Sequence, residues 1–259
     1  MENLHYSEAV FLVIIMIRVM SVLYPLPFID ESIVGNKVKT GFAFFIAIML
    51  YPAVRPGINI DVNNMYEIIS AIVMETLLAL MVSTIVKILL SAIRMGGNLS
   101  GIQMGLRASR MFDPMSSSTM NSLGRLMNWM SIMFLIVFGF DHFLLRAMFF
   151  STEMIPIGGF LAGQNVFYWL VTLSAGIPFI ALQVIAPMLT VVFLIHTSFG
   201  LVAKSVPNIN VFFLSATITV FIGMSVFMFS LPYFSNVIES KIYEMNEQVI
   251  YLLQLLSEG

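Results

Sequence analysis

Residues 154–203 contain no Asp, Glu, Lys or Arg. In an apolar medium the backbone N–H and C=O groups of such a run have no water to bond, and a helix satisfies them within one segment. The run is long enough for two passes, with Gly176, Pro178 and Pro187 as candidate breaks. Residues 205–238 are also free of formal charge and supply one more pass. The whole chain is 59% hydrophobic and 10% charged, with mean hydropathy +0.96. A soluble domain carries about 25% charged residues, so most of this surface is expected to face lipid or other apolar protein. The expected fold is an all-α integral membrane protein of about six to seven apolar helices. Broken helices and helical hairpins are included, and no sheet is expected.

The other segments are less uniform. An apolar run from Ala9 to Tyr24 carries Arg18 and is ended by Pro25 and Pro27. Residues 41–54 are apolar but short for a perpendicular span, which needs about 20 residues. Residues 68–93 form a long apolar segment with Glu75 and Lys87, running into Gly97, Gly101 and Gly105. Helix throughout residues 67–106 would extend roughly 60 Å, against a bilayer core of about 30 Å. The segment therefore either breaks at Gly96-Gly97 or projects beyond one membrane face. At the C-terminus Ile242, Met245, Val249, Leu252 and Leu256 recur at helical spacing opposite an acidic face, which marks an amphipathic helix. The chain is taken as one domain, 1–259: N-terminal helices 1–95, a glycine-rich helix end and polar loop 96–125, apolar helices 126–238, and the amphipathic helix 239–259.

Residues 96–125 are the long polar interruption. Glycines four apart share one helix face and open a groove for another backbone, so Gly97, Gly101 and Gly105 are candidate packing positions. Pro114 and the hydroxyl residues 116–119 then oppose helix continuation. Methionines dot the loop and the following helix, 21 of them in the chain. They read as adaptable core filler or as a deformable seal. Of the twelve basic residues, Lys87, Arg94, Arg107, Arg110 and Arg125 surround this loop. The positive-inside rule would put that side in the cytoplasm.

Several function classes are excluded or left without support. With no cysteine there is no disulfide, thiolate metal site or cysteine nucleophile. A net charge of −2 gives no basic surface for nucleic acid. His5, His142 and His196 lie far apart, and Asp141-His142 is adjacent in sequence only. No catalytic set and no cofactor motif is present, so no enzyme is expected. Residues 1–8 contain Glu2 and Glu8 and no Lys or Arg, unlike a cleavable signal, so the first apolar segment is expected to be retained. Arg18, Glu75 and Lys87 within apolar runs should face protein or water. They are either ion-pair partners or the relay groups of a stand-alone secondary transporter. Such transporters tend to show paired halves, and no matching halves are evident.

Gly101-Ile-Gln-Met-Gly-Leu106 followed by Phe112-Asp-Pro114 resembles the FliR family, the flagellar type III export-gate subunit related to the injectisome subunit SctT. Arg18, Pro25, Lys37-Val-Lys39, Gly41 and Pro52 fit the family's N-terminal pattern. Ile155-Pro-Ile-Gly-Gly159, Gly200-Leu-Val-Ala-Lys204 and Pro207-Asn-Ile-Asn-Val-Phe212 fit its later joints. Gln-Met-Gly favours the flagellar branch over the injectisome's usual Gln-Arg-Gly. Ser215-Ala216-Thr217 departs from the family's Gly-Phe-Pro helix break, and Arg107 and Arg110 make the loop more basic than the family pattern. The resemblance implies a channel-forming subunit in a helical complex with FliP and FliQ, near FlhB and FlhA, in the bacterial inner membrane at the flagellar basal body. Part of that assembly would stand above the bilayer, and unfolded flagellar subunits would pass through it. It further implies a pore plug formed by Arg107, Arg110, Met111, Phe112, Asp113, Pro114, Met115 and Met120.

Overall fold

The computed structural model describes residues 2–23, 35–54, 60–62, 64–106, 121–159, 164–205 and 211–257. Among them are nine helices and no strand: α1 (Glu2–Leu23), α2 (Asn36–Val54), α3 (Met65–Gln103), α4 (Ser122–Val137), α5 (Phe140–Met154), α6 (Gln164–Ala175), α7 (Ile177–Ser205), α8 (Val211–Phe229) and α9 (Leu231–Ser257). The expected all-α membrane architecture is what forms. Met65–Gln103 and Asn165–Ser205 are each long and apolar enough to cross a membrane, and up to four spans result if two bent helix pairs count as one each.

Local chemistry explains the helix boundaries. Asn64 caps α3 by accepting the Tyr66 N–H at 3.1 Å, while Glu67 accepts from the Asn64 amide and the Asp61 N–H. From that cap α3 runs 39 residues, straight through Gly96-Gly97, to a length of about 58 Å. The break considered there is absent. The charge-free run is also simpler than expected: only Gly176 separates α6 from α7, and 165–205 make one 41-residue span rather than two passes. Pro178 sits in the first turn of α7, where its missing N–H costs nothing. Pro187 lies inside α7 and leaves the Gln183 carbonyl without its helical donor; the Tyr233 hydroxyl supplies one at 3.0 Å. α8 passes unbroken through Ser215-Ala216-Thr217, and the chain bends by 58° at Ser230 instead.

The chain divides into two compact units, one of residues 1–88, 139–174 and 243–259, the other of 89–138 and 175–242. In the first, α1 packs along α2, and α2 buries Ala43, Ala47 and Leu50 at helical spacing. α3, α5 and α9 close tightly, leaving a gap of ≈ 10 Å³ between Leu78, Val82, Leu144, Met148, Val249 and Leu253. That space is at the lower limit for a single water. The predicted amphipathic stripe of α9 is buried throughout, from Ile242 to Leu256, although the helix starts earlier, at Leu231.

The polar centre of this unit is Arg18 of α1 against Glu75 of α3, with exposures of 2% and 1%. Arg18 Nε donates to one Glu75 oxygen, and Nη2 donates to the other at 2.8 Å. Its remaining N–H groups reach the Ser151 and Ile155 carbonyls at 3.3–3.4 Å. Those carbonyls form the C-terminal end of α5, where the helix dipole favours a cation. Glu75 Oε1 also accepts the Gly158 N–H at 3.1 Å. Gly158 has φ +75° in a turn closed by Gly159 N–H to Pro156 O, a conformation that suits glycine, and a Cβ there would press on Ala71 at 3.2 Å. Replacing Glu75 with Leu alone leaves the Arg18 charge buried and should lower stability by about 3–5 kcal/mol. The paired Arg18→Met, Glu75→Leu change should restore most of that loss in thermal unfolding of the purified chain. Equal losses for the single and paired variants would contradict a buried ion pair.

Candidate functional site

The second unit contains an antiparallel pairing of α3 and α4 that leads into residues 107–120. On α3 the contacting positions are 94, 97, 98 and 101, which share one helix face. On α4 and its cap they are 121, 124, 127 and 128, met in the reverse order. Arg94 Nε donates to Asn128 Oδ1 at 2.6 Å. A Cβ on Gly97 would stand 2.7 Å from the Gly124 Cα and 3.1 Å from the Met127 sulfur. A Cβ on Gly101 would overlap the Asn121 amide. Backbones this close tolerate only glycine.

Two asparagines lock the pairing. The Asn121 N–H donates to Asn98 Oδ1 at 3.1 Å, and Asn121 Nδ2 donates to the Asn98 carbonyl at 2.9 Å. Asn121 Oδ1 accepts the Gly124 N–H at 2.7 Å and so caps α4. One side chain thus fastens α3 and starts α4. The cap was not anticipated, though Asn121 standing just before an apolar periodic run is the signal that could have found it. Asn98 was missed, because nothing in sequence pairs it with a residue 23 positions away.

The Gln103-Met104-Gly105 motif ends α3, and each residue has a separate task. The Gln103 carbonyl accepts from His196 Nε2 of α7 at 3.0 Å, which places the ring proton on Nε2. Met104 is fully buried, and a Cβ on Gly223 of α8 would stand 2.7 Å from its terminal methyl. Gly105 has φ +79°, and its N–H bonds the Ile102 carbonyl, one of the two bonds of a Schellman-type end. Gly105 therefore corrects the expectation of a third groove glycine: among the described residues nothing stands within 4 Å of its Cβ position, and it stops the helix instead. Gly96 packs where Gly105 does not, with a virtual Cβ 2.9 Å from the Ala181 carbonyl of α7.

The remaining candidates separate. Arg107, Arg110, Met111, Phe112, Asp113, Pro114, Met115 and Met120 lie outside the described residues. Arg18 and Glu75 come together, whereas Lys87 is exposed and about 18 Å along α3 from Glu75. Asp141 and His142 are neighbours at 3.1 Å with both side chains exposed.

Apolar helices of spanning length, one of them continuing into a glycine-packed hairpin, define a helical membrane protein. The chain belongs to the family described as bacterial export proteins, family 1, whose model matches residues 9–245. It is similar to the flagellar biosynthetic protein FliR of Escherichia coli K12, 24% identical over 244 residues, covering 93% of each chain. FliR of Bacillus subtilis 168 is 24% identical over 202 residues, 77% of each chain. The Yop proteins translocation protein T of Yersinia pestis is 26% identical over 207 residues, 78% of each.

The three polar contacts of Asn121 set an order of effects. Asn121→Asp keeps the cap on Gly124 but loses the Nδ2 donor, and Asn121→Ala loses both. The alanine variant should cost about 1–2 kcal/mol and the aspartate variant less. Gly101→Leu should cost more than either, because the helices must separate. Hydrogen exchange at the Gly124 amide reads this order directly; equal protection in all three variants would contradict it.

Proposed function

We propose that the chain is a structural, channel-forming subunit of the flagellar protein export gate, with no catalytic activity. The observation that carries this reading is the family match over residues 9–245, with relatives named for flagellar biosynthesis along 93% of the chain. By the same resemblance it assembles with FliP and FliQ, near FlhB and FlhA, in the bacterial inner membrane at the basal body. Its cargo is unfolded flagellar subunits.

Within that gate, residues 107–120 act as the plug. The support is physical: the polar segment leaves a rigid stem, fixed on one side by His196 and Met104 and on the other by Asn121. A stem of that kind fixes the place at which the plug stands. The transporter reading gains no support from the charged residues, since Arg18 and Glu75 satisfy each other and Lys87 stands apart.

Deleting residues 116–120 keeps the Asn121 anchor and shortens the tip. In cells assembling the full complex this should raise leakage of small solutes across the membrane well above background. Leakage at background, with the complex assembled, would overturn the plug role.

A further inference from the structure

On the exposed side of α9, Glu247, Tyr251 and Gln254 follow one another at helical spacing and share a face. Trp169 of α6 stands against them, its ring centroid 5.8 Å from that of Tyr251 at an interplanar angle of 53°. Gln248 and Ile250 complete a shallow groove. Lys241 and Glu244 on the same helix each have a partner, whereas Glu247 makes no hydrogen bond or ion pair among the described residues.

We propose that this groove between Trp169, Tyr251 and Glu247 receives an arginine side chain of a partner protein. The two tilted rings offer negative faces to a cation, and a planar guanidinium stacks on one of them. Its N–H fork then reaches a carboxylate one helical turn away, with the Gln248 and Gln254 side-chain oxygens as further acceptors. An acyl chain in the same place would strip water from Glu247 and both glutamines without replacing their hydrogen bonds. A lipid phosphate would meet the Glu247 charge. Charge complementarity thus selects a protein cation over lipid.

The chain has two tryptophans, so Trp129→Phe leaves Trp169 as the sole tryptophan, whose emission is read under selective excitation. The purified full-length chain in maltoside detergent is titrated with the tripeptide N-acetyl-Gly-Arg-Gly-amide, with its citrulline counterpart, and with phosphatidylcholine vesicles. The arginine peptide should change Trp169 emission saturably and bind about tenfold more tightly than the citrulline peptide. Glu247→Gln and Tyr251→Leu, both at the surface, should each weaken it by a similar factor while leaving the melting temperature unchanged. Equal responses to arginine and citrulline, or unchanged binding in both variants, would overturn the proposal. So would a response to the vesicles alone, which would make the occupant a lipid ammonium group. Each outcome is independent of whether residues 107–120 plug a pore.

Discussion

A guanidinium and a carboxylate removed from water are tolerable only together, and Arg18 and Glu75 are both almost completely buried. Their pairing dictates more than one contact. It brings α1 to α3, aims the spare donors of Arg18 at the carbonyl end of α5, and gives Glu75 a turn amide to accept. Ile155-Pro-Ile-Gly-Gly159 is the sequence of that turn. Gly158 is required twice over, by its positive φ and by Ala71 beneath it. Removing Arg18 would take a donor from the Ile155 carbonyl and leave the Glu75 charge unpaired, and removing Glu75 would strand the Gly158 amide and the Arg18 charge.

The second unit solves a different problem with different chemistry. Where α3 meets α4, glycines remove side chains so that backbones and short amides make the contacts. Gly97 and Gly101 admit Gly124 and Asn121, and Asn98 fixes the register. Within the hairpin Arg94 pairs with Asn128 and Asn98 with Asn121, so these amides meet the requirement that polar groups among apolar helices be hydrogen-bonded.

Much of the fold was legible in hydropathy. The apolar runs became helices, and the spacing of Ile242, Met245, Val249, Leu252 and Leu256 marked a face that is fully buried. Breaks were harder to read. Gly96-Gly97 did not interrupt α3, because close packing on α4 and α7 rewards the missing side chains. Pro187 did not end α7, because Tyr233 replaces the lost donor. Helix breakers report a local cost, and tertiary partners decide whether it is met. Arg18 and Glu75 were recognisable as buried charges, but their carbonyl partners near residue 155 were not. Gly105 showed the same limit: its spacing suggested a groove, and only its φ revealed a helix stop.

As an export-gate subunit, in the function proposed, the chain is one part of a larger assembly. The apolar 18-residue window of the long span at residues 165–205 is only 28% buried, and Phe221 and Phe229 stand 75% and 86% exposed on α8. The direct test is the intact mass of the tagged chain, extracted in mild detergent from cells that also express its neighbouring genes. One large particle with a single copy of this chain and several copies of two smaller helical proteins is the result expected of an export-gate subunit. A monomer or small homo-oligomer, alone under the same conditions, would contradict it.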